Sequence, residues 1–125
     1  MMPKKWIYLC LSLLLIACGK KAVSLEGDSY QYTAPNGTVV SLDFMKGESR
    51  IAGQVVNRYF GSYEQKSQHI TFGPIGSTMM MGPQEAMQVE SDYFQFLAQV
   101  NSFDLTHENL ILKTPDGQEM IFVKQ

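Results

Sequence analysis

GPQEAMQVESDYFQFLAQV, residues 82–100, is the one convincing helical stretch in this chain. Gly82 is expected at the N-cap and Pro83 at the first helical position, where a missing N–H costs nothing. Asn101 is expected to stop the helix in a left-handed conformation. At about 100° per residue the faces separate. Gln84, Glu85, Gln88, Ser91, Asp92, Gln95 and Gln99 share a polar arc, and Ala86, Met87, Val89, Tyr93, Phe94, Phe96, Leu97, Ala98 and Val100 fill the rest. Glu90 alone breaks the pattern, falling in the middle of the apolar arc.

On either side of this helix the periodicity is that of strands. Tyr30 and Tyr32 alternate in a first segment, and Val40, Leu42 and Phe44 in a second. Pro35-Asn36-Gly37 between them predicts a hairpin turn of type I′. Arg50 to Val56 reads as a third strand, with Gly53 a bulge or a close approach. Gly61–Glu64 and His69–Phe72 make the fourth and fifth. After the helix come Phe103/Leu105, Leu110/Leu112 and Met120/Phe122, divided by His107-Glu108-Asn109 and Pro115-Asp116-Gly117. The fold class is therefore mostly β with one α-helix. About eight short strands form a small antiparallel β-barrel-like domain, the helix falling between strands 5 and 6. Closing the sheet removes its edges, and no strand–helix rhythm of a parallel sheet is present.

The N-terminal end reads as an address. Lys4 and Lys5 precede Trp6 to Ala17, a charge-free run too short to span a bilayer but suited to a signal-peptide core. It ends Leu15-Ile16-Ala17-Cys18-Gly19, which looks like the lipobox of bacterial lipoproteins. Expected are a signal peptide over 1–17, a lipidated tether over 18–27 with Cys18 as the acylated residue, and a domain over 28–125. Gly19 after the cysteine points to the outer membrane, facing the periplasm of a Gram-negative cell. Without Lys4 and Lys5, eight basic side chains face twelve acidic ones. That balance suits neither nucleic acid nor anionic lipid headgroups. Cys10 leaves with the signal and Cys18 is acylated, so the mature domain is expected to hold together without a disulfide.

Three features invite a chemical reading. A carboxylate on a buried helical face must be paired, hydrogen-bonded or protonated. Arg58, which follows the third strand, is the expected partner of Glu90, and the carboxylate either locks helix to barrel or binds and handles protons. Met79-Met80-Met81, with Met87 further along and His69 or His107 nearby in kind, raises soft-metal ligation. Consecutive residues in an extended segment alternate faces, leaving only Met79 and Met81 on one side. Methionine as adaptable core filler is the expectation, with no metal and no cofactor. Neither histidine has a nucleophile or carboxylate at a catalytic spacing, and no phosphate loop or nucleophile elbow is present. No catalytic residue is assigned; Ser77-Thr78 is expected to satisfy backbone groups before the helix.

Two blocks carry a family resemblance. Ile51-Ala52-Gly53-Gln54-Val55-Val56-Asn57-Arg58-Tyr59-Phe60-Gly61-Ser62-Tyr63 resembles the G-x-x-C-N-R-[FY]-x-G-x-[YF] block of the META domain, the family of the heat-shock lipoprotein HslJ. Thr78-Met79-Met80-Met81-Gly82 is similar to its T-R-M-x-C block, and the acidic Glu90, then Phe103-Asp104-Leu105-Thr106 and Leu110-Ile111-Leu112, follow in the family's order. Val56 and Gly82 stand where the family has cysteines, Met79 where it has arginine, and Tyr30 where a tryptophan is frequent. The resemblance implies motif positions at Asn57, Arg58, Gly61, Thr78, Met80 and Glu90. It also implies a small β-rich envelope domain linked to heat and antibiotic stress, with no established catalytic activity. Asn57 and Arg58 are expected to organise the turn after the third strand.

The expected function is thus a non-enzymatic envelope or stress factor, attached to the membrane through Cys18 and meeting another envelope protein as partner. Two alternatives remain. One is a periplasmic lysozyme inhibitor, also a small lipid-anchored barrel. The other is a carrier of a small apolar ligand, since an eight-strand barrel holds either its own side chains or one such molecule.

Overall fold

The computed structural model describes residues 23–125. The expected signal peptide, Cys18 and the first part of the expected tether lie outside the described residues. Strands β1 (Ser29–Thr33), β2 (Val39–Phe44), β3 (Arg50–Gln54), β4 (Arg58–Lys66), β5 (His69–Phe72) and β6 (Gly76–Ser77) precede helix α1 (Gln84–Gln99). Strands β7 (Ser102–Leu105), β8 (Asn109–Lys113) and β9 (Glu119–Lys124) follow it.

Eight of these strands close into an antiparallel barrel. From β1 the neighbours run β2, β3, β4, β5, β7, β8 and β9, and β9 returns to β1 through Tyr30↔Lys124 and Gln31↔Val123. The two-residue β6 lies outside this ring, paired to Tyr59 and Phe60 of β4. The helix therefore follows a sixth strand that has no periodicity to betray it. Alternation fills the barrel: Val40, Leu42 and Phe44 of β2, Tyr59 and Tyr63 of β4, and Leu110 and Leu112 of β8 all point inward and are buried. The interior is occupied by the protein's own side chains.

The expected tether is shorter than its composition suggests. Leu25 is fully buried, Gly27 N–H donates to Phe44 O at 2.8 Å, and Gly47 N–H donates to Glu26 Oε1 at 3.0 Å. Burial of Leu25 and these two hydrogen bonds hold the segment against the barrel.

The hairpin turns also depart from type I′. Gly37 has a φ of 91° and its N–H bonds Ala34 O at 2.8 Å, while among the described residues only Ser67 is a non-glycine with positive φ. Asn36 is therefore not left-handed, and the loop is a type I turn followed by a left-handed glycine. Pro35 decides this, because its ring holds φ negative at the first central position. Thr114-Pro115-Asp116-Gly117 repeats the device: Gly117 has φ 93° and its N–H bonds Thr114 O at 3.1 Å.

Helix α1 begins one residue later than expected, with Pro83 as N-cap, and ends at Val100 rather than at a left-handed Asn101. Val100 is extended (φ −63°, ψ 134°) and buried. Asn101 is already committed to the sheet: its N–H bonds Lys113 O at 3.0 Å and its carbonyl accepts from Ile70 N–H at 3.2 Å. The polar arc faces solvent as read, and Tyr93, Phe96, Leu97 and Glu90 are buried against the barrel. Ala98, assigned to the apolar arc, is exposed.

The helix runs beside the weakest join in the ring. Between β5 and β7 only His69↔Ser102 is paired in register, supported by Ile70 N–H to Asn101 O and Phe103 N–H to Gln68 O at 3.0 Å.

Candidate functional site

The structure gathers the loop between β3 and β4, the segment before α1, and the second turn of the helix around one carboxylate. Glu90 is 6% exposed. Its Oε1 accepts from the backbone N–H of Val56 at 3.1 Å and of Asn57 at 2.7 Å, and its Oε2 accepts from Asn57 Nδ2 at 2.9 Å. Hydrogen bonds to an ionised acceptor are roughly twice as strong as neutral ones. Three converging donors thus replace the water that a buried carboxylate loses.

Asn57 is the second centre. Its Nδ2 also donates to Met80 O at 3.2 Å, and its Oδ1 accepts from Thr78 Oγ1 at 3.0 Å and from Met80 N–H at 2.5 Å. An asparagine amide has two N–H donors and two acceptor lone pairs. All four are used. Thr78 Oγ1 in turn accepts from Arg58 N–H at 3.1 Å, and Thr78 N–H donates to Arg58 O at 3.0 Å.

Arg58 is therefore in the network through its backbone alone. Its side chain is exposed, and no ion pair to Glu90 exists among the described residues. The expected Arg58–Glu90 pair is replaced by the two residues just before the arginine, through the backbone N–H groups of Val56 and Asn57 and the Asn57 side-chain amide. The interruption of β3 after Gln54 has the same origin, since the N–H groups of Val56 and Asn57 turn toward the helix instead of a neighbouring strand. Gly61 is the fourth residue of β4. A Cβ there would sit 2.8 Å from Ile75 Cδ1 and 3.2 Å from Pro74 O.

Below this network the helix is joined to β4 a second time. Tyr59 Oη lies 2.6 Å from Tyr93 Oη and donates to Ser41 O at 2.6 Å. The rings meet edge to face, and Phe94 packs on Tyr59 as well. Burial pushes both phenols well above the ordinary tyrosine value; for Tyr93 the neighbouring Tyr59 adds to it. The pair carried no signal in the sequence, because each tyrosine reads there simply as an apolar position.

Val56 and Gly82 lie together. A Cβ built on Gly82 falls 3.6 Å from Val56 Cβ and 2.7 Å from its Cγ1. That Cβ separation is within the range a disulfide spans. The places where the family resemblance puts cysteines are neighbours in space.

The methionines overturn the expectation of core filler. Met79 and Met81 are each 90% exposed and Met80 is 54% exposed. The chain here is held by backbone bonds to Asn57 and Arg58, not by its side chains, so its thioethers are left in solvent. His69 and His107 are exposed on β5 and in the turn before β8. No group of three or more His, Cys, Asp or Glu placed to hold a metal occurs among the described residues. A cavity of about 290 Å³ lies between the helix and the β1–β2 turn, with Tyr32, Pro35, Val89, Tyr93, Phe96 and Met120 in its walls.

The META domain model matches residues 21–125. This chain belongs to the META domain family. The barrel and helix match a solved structure in shape: an NMR structure of a protein from Burkholderia xenovorans, with a TM-score of 0.64 at 20% identity, covering 85% of this chain and 94% of that one. A second NMR structure gives a TM-score of 0.64 at 18% identity over 79% and 90% of the two chains. At such identities the likeness is one of fold. No curated protein matches the chain. Within the META domain, then, the motif residues Asn57, Thr78, Met80 and Glu90 form one hydrogen-bonded cluster, with Arg58 contributing only its main chain.

Proposed function

We propose that this META domain is a non-catalytic envelope domain, lipid-anchored through Cys18 at the outer membrane, facing the periplasm and serving in the response to heat and antibiotic stress. The address is supported by the order of Lys4-Lys5, the apolar run to Ala17 and the Leu15–Cys18 box. The stress role is supported by the family resemblance to HslJ. One observation carries the non-catalytic part. Glu90, the sole buried carboxylate among the described residues, and Asn57 spend their hydrogen bonds on each other, on Thr78 and on the protein's own backbone, so neither is turned toward a substrate. Such a domain works as a shape, by contact with another envelope component.

The experiment is fractionation and survival together. Cys18→Ser should release the protein from membranes, because nothing else in the mature sequence is apolar enough to anchor it. Cells with only this variant should then survive heat and antibiotic challenge no better than cells lacking the protein. Sedimentation with membranes at high salt would refute the anchor, and full protection by the released protein would refute the need for it.

A second reading, carriage of a small apolar molecule, is favoured by the aromatic-walled cavity beside α1. Because side chains fill the barrel interior, the proposed ligand site is this cavity outside the ring. Binding of a fluorescent apolar probe, lost in a Val89→Trp variant, would support it.

A further inference from the structure

We infer that Met79 and Met81 form a reversible oxidation site, each taking one oxygen atom from a peroxide or hypochlorous acid while the fold stays intact. Among the described methionines these two stand apart. Both are 90% exposed, against 54% for Met80 and 41% for Met45, while Met87 and Met120 are half-buried. Thioether oxidation follows accessibility, and in a core it places a polar sulfoxide among apolar neighbours. Here the sulfur has no such neighbours to disturb.

The backbone explains why the site tolerates the change. Met80 N–H and C=O are both bound to the Asn57 amide, and Thr78 is tied to Arg58 and Asn57. Among the described residues, no side-chain hydrogen bond uses a methionine sulfur. The segment is thus fixed by groups that oxidation does not touch, and its thioethers are displayed from a rigid base.

The chemistry balances. A sulfur lone pair attacks one peroxide oxygen, the O–O bond breaks and water leaves; the sulfur is oxidised by two electrons and the peroxide reduced. With hypochlorous acid the leaving group is chloride, accompanied by a proton. A methionine sulfoxide reductase reverses the step, breaking the S–O bond, releasing water and converting a dithiol to a disulfide. The exposed, irregular segment gives such an enzyme access to both residues. The result is a replenishable trap for oxidant, and its apolar surface turns polar whenever it is loaded.

The test is limiting hydrogen peroxide on the folded, intact protein, with sulfoxide at each methionine read by peptide mass spectrometry. Met79 and Met81 should be oxidised about tenfold faster than Met87 and Met120, with Met45 and Met80 between. The thermal midpoint should not move, and methionine sulfoxide reductase with dithiothreitol should restore the starting mass. The Met79→Leu, Met81→Leu variant should keep its midpoint and lose the rapid uptake of two oxygen atoms. Equal rates at Met87 and Met120 would overturn the inference. So would a midpoint that falls on oxidation, sulfoxides that the reductase leaves in place, or a Leu variant that fails to fold.

Discussion

The nitrogen of Asn57 sits 2.7 Å from Glu90 Oε1, joining a loop between two barrel strands to the second turn of the only helix among the described residues. Because Val56 N–H and Asn57 Nδ2 converge on the same carboxylate, its removal strands several donors at once. An unsatisfied buried donor costs about 1–3 kcal/mol. Glu90→Ala should therefore lose roughly 3–5 kcal/mol, much of a small domain's stability. Urea denaturation measures it, and an unchanged midpoint would place the carboxylate in solvent.

Arg58 and Asn57 should separate sharply in the same assay. Arg58→Met removes an exposed side chain and should shift stability by no more than about 0.5 kcal/mol. Asn57→Ala removes an amide that is used at all four positions, and a loss of roughly 3 kcal/mol or more is expected. Comparable losses in the two variants would return the arginine to the role first expected of it.

The alkaline limb of stability should report the buried tyrosines. Tyr59 and Tyr93 have phenols raised by burial, and Tyr30 is pushed up to about 12 by burial and by the nearby Asp28 carboxylate. A raised phenol means that the folded state holds its proton longer than the unfolded chain does. Stability is then level below the unfolded value near pH 10 and falls above it, by about 1.4 kcal/mol per pH unit for each such group. Tyr59→Phe with Tyr93→Phe should flatten that fall, at the cost of the hydroxyl pair at neutral pH. Denaturant midpoints between pH 8 and 12 decide it, and parallel slopes in both proteins would contradict the assignment.

Val56 and Gly82 offer a test by addition. Gly82→Ala alone drives a methyl to 2.7 Å from Val56 Cγ1 and should destabilise. Val56→Cys with Gly82→Cys relieves that contact and should form a disulfide after export to an oxidising compartment. Closing a loop of roughly 27 residues is worth about 3 kcal/mol in the chain-entropy model. Non-reducing mass spectrometry checks the bond. Two free thiols would mean that the loop and the helix start do not meet.

What the sequence disclosed followed the kind of signal each feature leaves. Strand alternation at Val40-Leu42-Phe44 and helical spacing in residues 84–99 are side-chain patterns, and both survive in the fold. Glu90 was visible because a carboxylate is out of place on an apolar arc. Two of its three donors are backbone N–H groups, of Val56 and Asn57, which carry no letter, and the third is a neutral amide where a cation such as Arg58 is the expected partner. The methionine run failed for the opposite reason: apolar letters imply burial unless the main chain is held by something else, and Asn57 supplies that hold. Gly76–Ser77 is too short to show any period. Pro35 marks a turn by its letter, and its fixed φ also selects which turn forms.

The ring is closed by its two most distant strands, since β9 is the neighbour of β1 through Gln31↔Val123. A chain threaded through a membrane from its N-terminal side delivers β1 long before β9. Until residue 123 has emerged, β1 and the half-finished sheet have an open flank, and the barrel's interior cannot seal. Pairings this far apart in sequence also form slowly. Under the export proposed above, this topology leaves the barrel unsealed during transit and makes arrival of the final strand the event that closes the ring.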